Sequence, residues 1–111
     1  LEQYILRFER DPREEPELSR FHLFDAKGNV KGVRDMEIVD YLVENVQFFV
    51  VGITPYYYEH GVFIEDTKGV KLKYRIQKLI YRDQVNSSTI QRVYNLLITQ
   101  PQIYRNSYEL N

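Results

Sequence analysis

The stretch VQFFVVGI, Val46 to Ile53, decides how this chain folds. Read with a period of two, it puts Val46, Phe48, Val50 and Gly52 on one face and Gln47, Phe49, Val51 and Ile53 on the other. Both faces are apolar. Eight residues span about 26 Å as a strand and are short for a core helix, and β-branched and aromatic side chains suit a pleated surface. The reading is a central strand, in which each fully buried Phe or Val contributes roughly 1.5 to 3 kcal/mol.

Working outward, Asp35 to about Asn45 has Val39, Leu42, Val43 and Val46 at helical spacing, with Glu37, Asp40 and Glu44 opposite. This predicts an amphipathic helix with Asp35 as its N-cap, where a carboxylate meets free backbone N–H groups. The three carboxylates read as a wet face, with no further ligands to complete a metal site. Before the helix, Ser19 to Phe24 reads as a strand, with Phe21 and Leu23 facing one way and His22 and Phe24 the other. The turn DAKGN, Asp25 to Asn29, and a short strand Val30 to Val33 close a hairpin. Tyr4 to Phe8 alternates as a first strand. The following residues 11–17, with two prolines and dense charge, read as a solvated loop.

Beyond the central strand, Pro55 and Gly61 bracket Tyr56, Tyr57 and Tyr58, which places the tyrosines in or beside a loop with at least one ring exposed. A strand starts at Val62 and turns at Asp66 to Gly69. VKLKYRIQ, Val70 to Gln77, then alternates so cleanly that it predicts a strand with Val70, Leu72, Tyr74 and Ile76 inward and Lys71, Lys73, Arg75 and Gln77 outward. Ser88 with Gln91 has the pattern of a capping box, opening a helix through Ile90, Val93, Tyr94 and Leu97 to Gln100. In the tail, Ile103, Tyr104 and Tyr108 can dock on the core, and residues 105–111 are expected to fray.

The predicted fold is a single α+β domain over residues 1–111. It has a mainly antiparallel sheet of five to six strands carrying two amphipathic helices, in the order β-β-(β)-α-β-β-β-α. At 111 residues the chain is one domain long. It contains no Cys, which removes disulfides and thiolate metal sites and fits a reducing, cytoplasmic setting. No apolar run approaches a membrane span and no signal pattern opens the chain, although its start at Leu1 leaves a trimmed leader open.

Chemistry is sparsely signalled. A phosphate loop, nucleophile elbow, HExxH or dinucleotide fingerprint is not found, and His60 beside Glu59 is a thin general-base candidate. The expectation is a non-enzymatic protein without cofactor, metal or small-molecule substrate. Two surfaces stand out. If both helices cover the Val46, Phe48, Val50 face, then Phe49, Val51 and Ile53, with Tyr56, Tyr57 and Tyr58, form an apolar surface for a second copy or another protein partner. The segment Lys68 to Arg82 holds six cations and no anion. As a strand, Lys71, Lys73 and Arg75, about 6.6 Å apart and joined by Lys78 and Arg82, form a row for nucleic acid, with Tyr81 or the Tyr56 to Tyr58 loop to stack bases. Such a row also guards a strand edge against aggregation, and the chain's net charge of −1 is unlike that of a basic nucleic-acid domain.

Overall fold

A computed structural model describes residues 16–100 and 104–105. The predicted strand Tyr4 to Phe8 and most of the charged loop and tail lie outside them. The described chain is α+β. Helical turn α1 (Pro16–Ser19) leads into hairpin β1 (His22–Phe24) and β2 (Val30–Val33), then helix α2 (Asp35–Asn45). Strands β3 (Phe48–Val51), β4 (Thr54–Glu59) and β5 (Val62–Glu65) follow. Helices α3 (Val70–Gln77) and α4 (Ser87–Leu97) and the short strand β6 (Tyr104–Arg105) complete it.

The stretch Val46 to Ile53, expected as an eight-residue strand, supplies an interior strand of four, Phe48–Val51; Val46 closes α2, and Gly52 and Ile53 turn the chain. The second sheet has the order β5-β4-β3-β6, with β5, β4 and β3 antiparallel and β6 parallel to β3. Phe48 and Val50 are buried, while Phe49 and Val51 on the other side are half-buried. The core side meets α2, α3 and α4 in one cluster that includes Ile38, Val39 and Leu42 of α2, Leu72 and Ile76 of α3, and Val93 and Leu97 of α4. Helices α2 and α3 both pack against α4.

The single five-to-six-stranded sheet gives way to separate two-stranded and four-stranded sheets. The principal reason is Val70 to Gln77, which is helix α3 rather than a strand. Alternation is a strand signal, but this segment competes with a second pattern. Leu72, Ile76, Leu79 and Ile80 stand at i, i+4, i+7 and i+8, the stripe of a buried helix face, and all four join the core. Asp66 tips the balance. Its two carboxylate oxygens accept the backbone N–H groups of Lys71 (2.9 Å) and Leu72 (3.0 Å), which would otherwise be unpaired at the helix start. Lys68 (φ 59°) and Gly69 (φ 68°) supply the left-handed bend that delivers the chain to that carboxylate.

The tyrosine run is likewise a strand. Pro55 does not end β3; the reversal is made at Gly52 and Ile53, with Gly52 at φ 64°. Pro55 is tolerated in β4 because it lies where β5 has already ended. Its carbonyl still accepts the N–H of Asp66 (2.8 Å), and only a terminal ladder donor is missing. His60 (φ 50°) and Gly61 (φ 87°) then form the tight turn into β5.

Asp35 is the first residue of α2 and caps no N–H; its carboxylate grips Arg92 of α4 through two bonds, at 2.6 and 3.0 Å. The capping residue of α4 is Asn86, whose side chain accepts from Thr89 N–H (2.8 Å), in place of the Ser88 and Gln91 pair. The strand predicted over Ser19 to Phe24 shortens to His22–Phe24: Phe21 and His22 are both buried, while Leu23 and Phe24 are exposed. Pro16 and Glu17, assigned to the solvated loop, open α1. Arg105, assigned to the frayed tail, belongs to β6, which pairs Tyr104 with Val50 and Arg105 with Val51.

Candidate functional site

The outer side of the four-stranded sheet gathers an aromatic cluster. The register sets Phe49 opposite Tyr56 and Tyr58 opposite Phe63. The Phe49 and Tyr56 rings stack at 5.2 Å, Phe63 meets Phe49 edge-on at 4.8 Å, and Tyr58 meets Phe63 edge-on at 5.2 Å. Each such ring pair contributes roughly 0.5 to 1.5 kcal/mol beyond simple burial. Even so, Tyr58 is 38% and Phe63 42% exposed. Of the residues predicted for this surface, Phe49, Val51, Tyr56 and Tyr58 do share it. Tyr57 points the other way, packed against the core, and Ile53 stands apart at the tip of the β3–β4 turn, 82% exposed. Phe63 was not among the predicted residues; the alternation of β5 opposite an outward Tyr58 is the signal that finds it.

The cations rearrange more thoroughly. On a helix, residues 71, 75 and 78 fall on one face, whereas 73 lies well around the cylinder. Lys73 accordingly leaves the row and rests its ammonium over the Tyr94 ring, 4.7 Å from its centre. Arg82 falls on the separate 3-10 turn Arg82–Gln84, and exposed Lys68 sits in the bend before α3. Lys71, Arg75 and Lys78 remain together, lining with Tyr57, Glu59, Val70 and Tyr74 a cavity of about 510 Å³ between β4 and α3. Arg75 Nε donates to the Tyr57 hydroxyl (2.9 Å), and the Lys78 ammonium lies 5.4 Å from the centre of the Tyr74 ring. Lys71 pairs with Glu59, and its hydrogen bond holds the Glu59 carboxyl below the usual range. The same Arg75 and Lys78 also border a second cavity, of about 650 Å³, against Arg20, Phe21 and Tyr41.

The two histidines part ways. His22 is buried and fully bonded within the fold: its Nε2 accepts the N–H of Tyr81 (3.0 Å), so Nδ1 carries the proton and donates to the Leu18 carbonyl (2.8 Å). His60 is exposed in the β4–β5 turn, and the Glu59 beside it is engaged by Lys71. Among the described residues no group of three or more His, Asp or Glu could hold a metal ion, and no helix is long and apolar enough to cross a membrane.

Comparison with protein-family models, curated proteins and solved structures gives no match to this chain. The functional reading therefore stands on the two surfaces themselves.

Proposed function

We propose that the protein is a non-catalytic, cytoplasmic interaction module that associates with a second copy of itself through the outer side of its sheet. The observation that carries this reading is the Phe49, Tyr56, Tyr58 and Phe63 cluster, whose rings meet face-on and edge-on while Tyr58 and Phe63 stay exposed. Contiguous apolar surface of this kind is characteristic of association sites, and aromatic rings supply large contact area at low rotamer cost. A second copy suits the surface because its centre carries no charge. The same rings can face one another across a two-fold axis, with Glu65, opposite Tyr56 on the edge strand, to be kept apart.

The test is light scattering over a range of protein concentrations, on the wild type and on Tyr58→Ser with Phe63→Ser. The expected result is a concentration-dependent dimer that the double variant abolishes while keeping its helical circular dichroism. A wild type that stays monomeric at the highest concentration overturns the reading.

A further inference from the structure

We infer that the cavity between β4 and α3 is a binding groove for single-stranded nucleic acid, separate from the outer face of the sheet. Two features of the sequence that lie apart along the chain, the tyrosine run and the basic segment, meet in this one place. Lys71, Arg75 and Lys78 succeed one another along the helix at axial intervals of about 6 and 4.5 Å, and Tyr57 and Tyr74 stand among them.

The charges are available. Arg75 spends only its Nε, on the Tyr57 hydroxyl, and neither it nor Lys78 has a carboxylate partner among the described residues. The hydroxyl contact fixes the guanidinium plane and leaves its terminal N–H groups to grip a phosphate in the fork geometry that suits arginine. Tyr74 is 58% exposed, and the Lys78 ammonium lies over its ring. A base stacking on that ring displaces the ammonium toward the base's own phosphate, so one movement satisfies both groups. Only an unpaired base offers a free face to the ring, which selects single strands over duplex. Glu59, paired with Lys71, closes one end of the groove to anions.

The experiment is fluorescence anisotropy of the full chain with a labelled oligothymidylate and with a duplex of equal length, at low and moderate salt. The expected result is saturable binding, tighter to the single strand. Arg75→Gln with Lys78→Gln should weaken it roughly tenfold and make the salt dependence shallower by about 0.7 per cation removed. Tyr74→Ala should weaken it roughly tenfold without changing the salt slope, Tyr74→Phe should bind as the wild type, and Lys31→Gln, on β2 and outside the cavity's lining, should have no effect. Tyr74 is exposed, so these variants are expected to fold, and circular dichroism verifies it. The inference is overturned by absence of saturable binding at low salt, by duplex binding as tightly as single strand, by polyglutamate competing as well as oligothymidylate, or by a Tyr74→Ala variant that binds normally.

Discussion

The Nε2 of His22 accepts the backbone N–H of Tyr81 at 3.0 Å while the two rings lie stacked with centroids 3.9 Å apart, joining positions 59 residues apart in the chain. The arrangement requires a neutral imidazole, since a proton on Nε2 would confront the Tyr81 N–H. Burial accordingly lowers the pKa of His22 from the ordinary value of 6.5, outweighing the Leu18 carbonyl and Asp83, which act to raise it. In the unfolded chain the ring regains its ordinary value and takes up a proton that the folded site refuses. This contribution to stability is therefore complete above pH 6.5 and is lost as the pH falls through 6.5 toward and past the lowered value. Urea midpoints measured between pH 7.5 and about 5, above most carboxylate titrations, should fall with pH. The His22→Gln variant should lose that part of the slope. Replacement by Ala, which leaves the Tyr81 N–H without its partner, should cost about 1 to 3 kcal/mol.

Helix α3 divides four residues that a strand would treat alike. Leu72→Ala and Ile76→Ala, each removing a fully buried side chain, should cost about 2 to 5 kcal/mol. Val70→Ala and Tyr74→Ala, at 63% and 58% exposure, should stay within about 0.5 kcal/mol of the wild type. Chemical denaturation of the four variants measures the split; equal losses at all four positions would contradict the helix.

The bend before α3 should tolerate little. A Cβ at Gly69 would collide with the ring of Tyr94, and the residue's φ of 68° is strained for any L side chain. Gly69→Ala should therefore lower stability by at least about 1 to 2 kcal/mol. Asp66→Ala, which strips two N–H groups of their acceptor, should cost about 1 to 2 kcal/mol. Thermal melts of both variants test these values.

The bridge between Asp35 and Arg92 ties α2 to α4 with good two-bond geometry, and the Asp35 carboxylate raises the pKa of Arg92. The Arg92 side chain is nevertheless half in water, which screens the pair. Asp35→Asn should lose no more than about 0.5 to 1 kcal/mol, and the difference from wild type should shrink in high salt. A salt-independent loss well above this would show that Asp35 does more than hold the arginine.

What could be read from the chain depended on how many patterns each segment satisfied at once. Of Val46 to Ile53, expected as one strand, Phe48 to Val51 is the interior strand, and its division into a core side at Phe48 and Val50 and an outer side at Phe49 and Val51 was legible directly; Val46 closes α2, and Gly52 and Ile53 make the turn. Helix α2 and most of α4 were legible for the same reason, each presenting a single helical stripe. Val70 to Gln77 satisfies strand alternation, yet its leucine and isoleucines continue past Gln77 at helical spacing. Extending the window to Ile80 exposes the conflict. The deciding group, the buried Asp66 carboxylate, lies before the segment and works through backbone N–H groups that side-chain periodicity does not register. The tyrosines were misplaced because Pro55 was weighed as a stop signal without knowing that its own edge of β4 needed no donor there. The two candidate surfaces followed these outcomes: the outer face kept four of its six expected members, while the row of cations was rebuilt on a helix, losing Lys73 and Arg82 and gaining Tyr57 and Tyr74 as neighbours.

Asp66 has one further consequence. Its main chain closes the ladder at Pro55 while its side chain opens α3, so sheet and helix are riveted through a single amino acid. Lys71, Arg75 and Lys78 ride on the helix side of that rivet and Tyr57 on the sheet side. The width of the gap between them is thus set at a position outside the lining of that cavity, and a change there would retune the groove from behind.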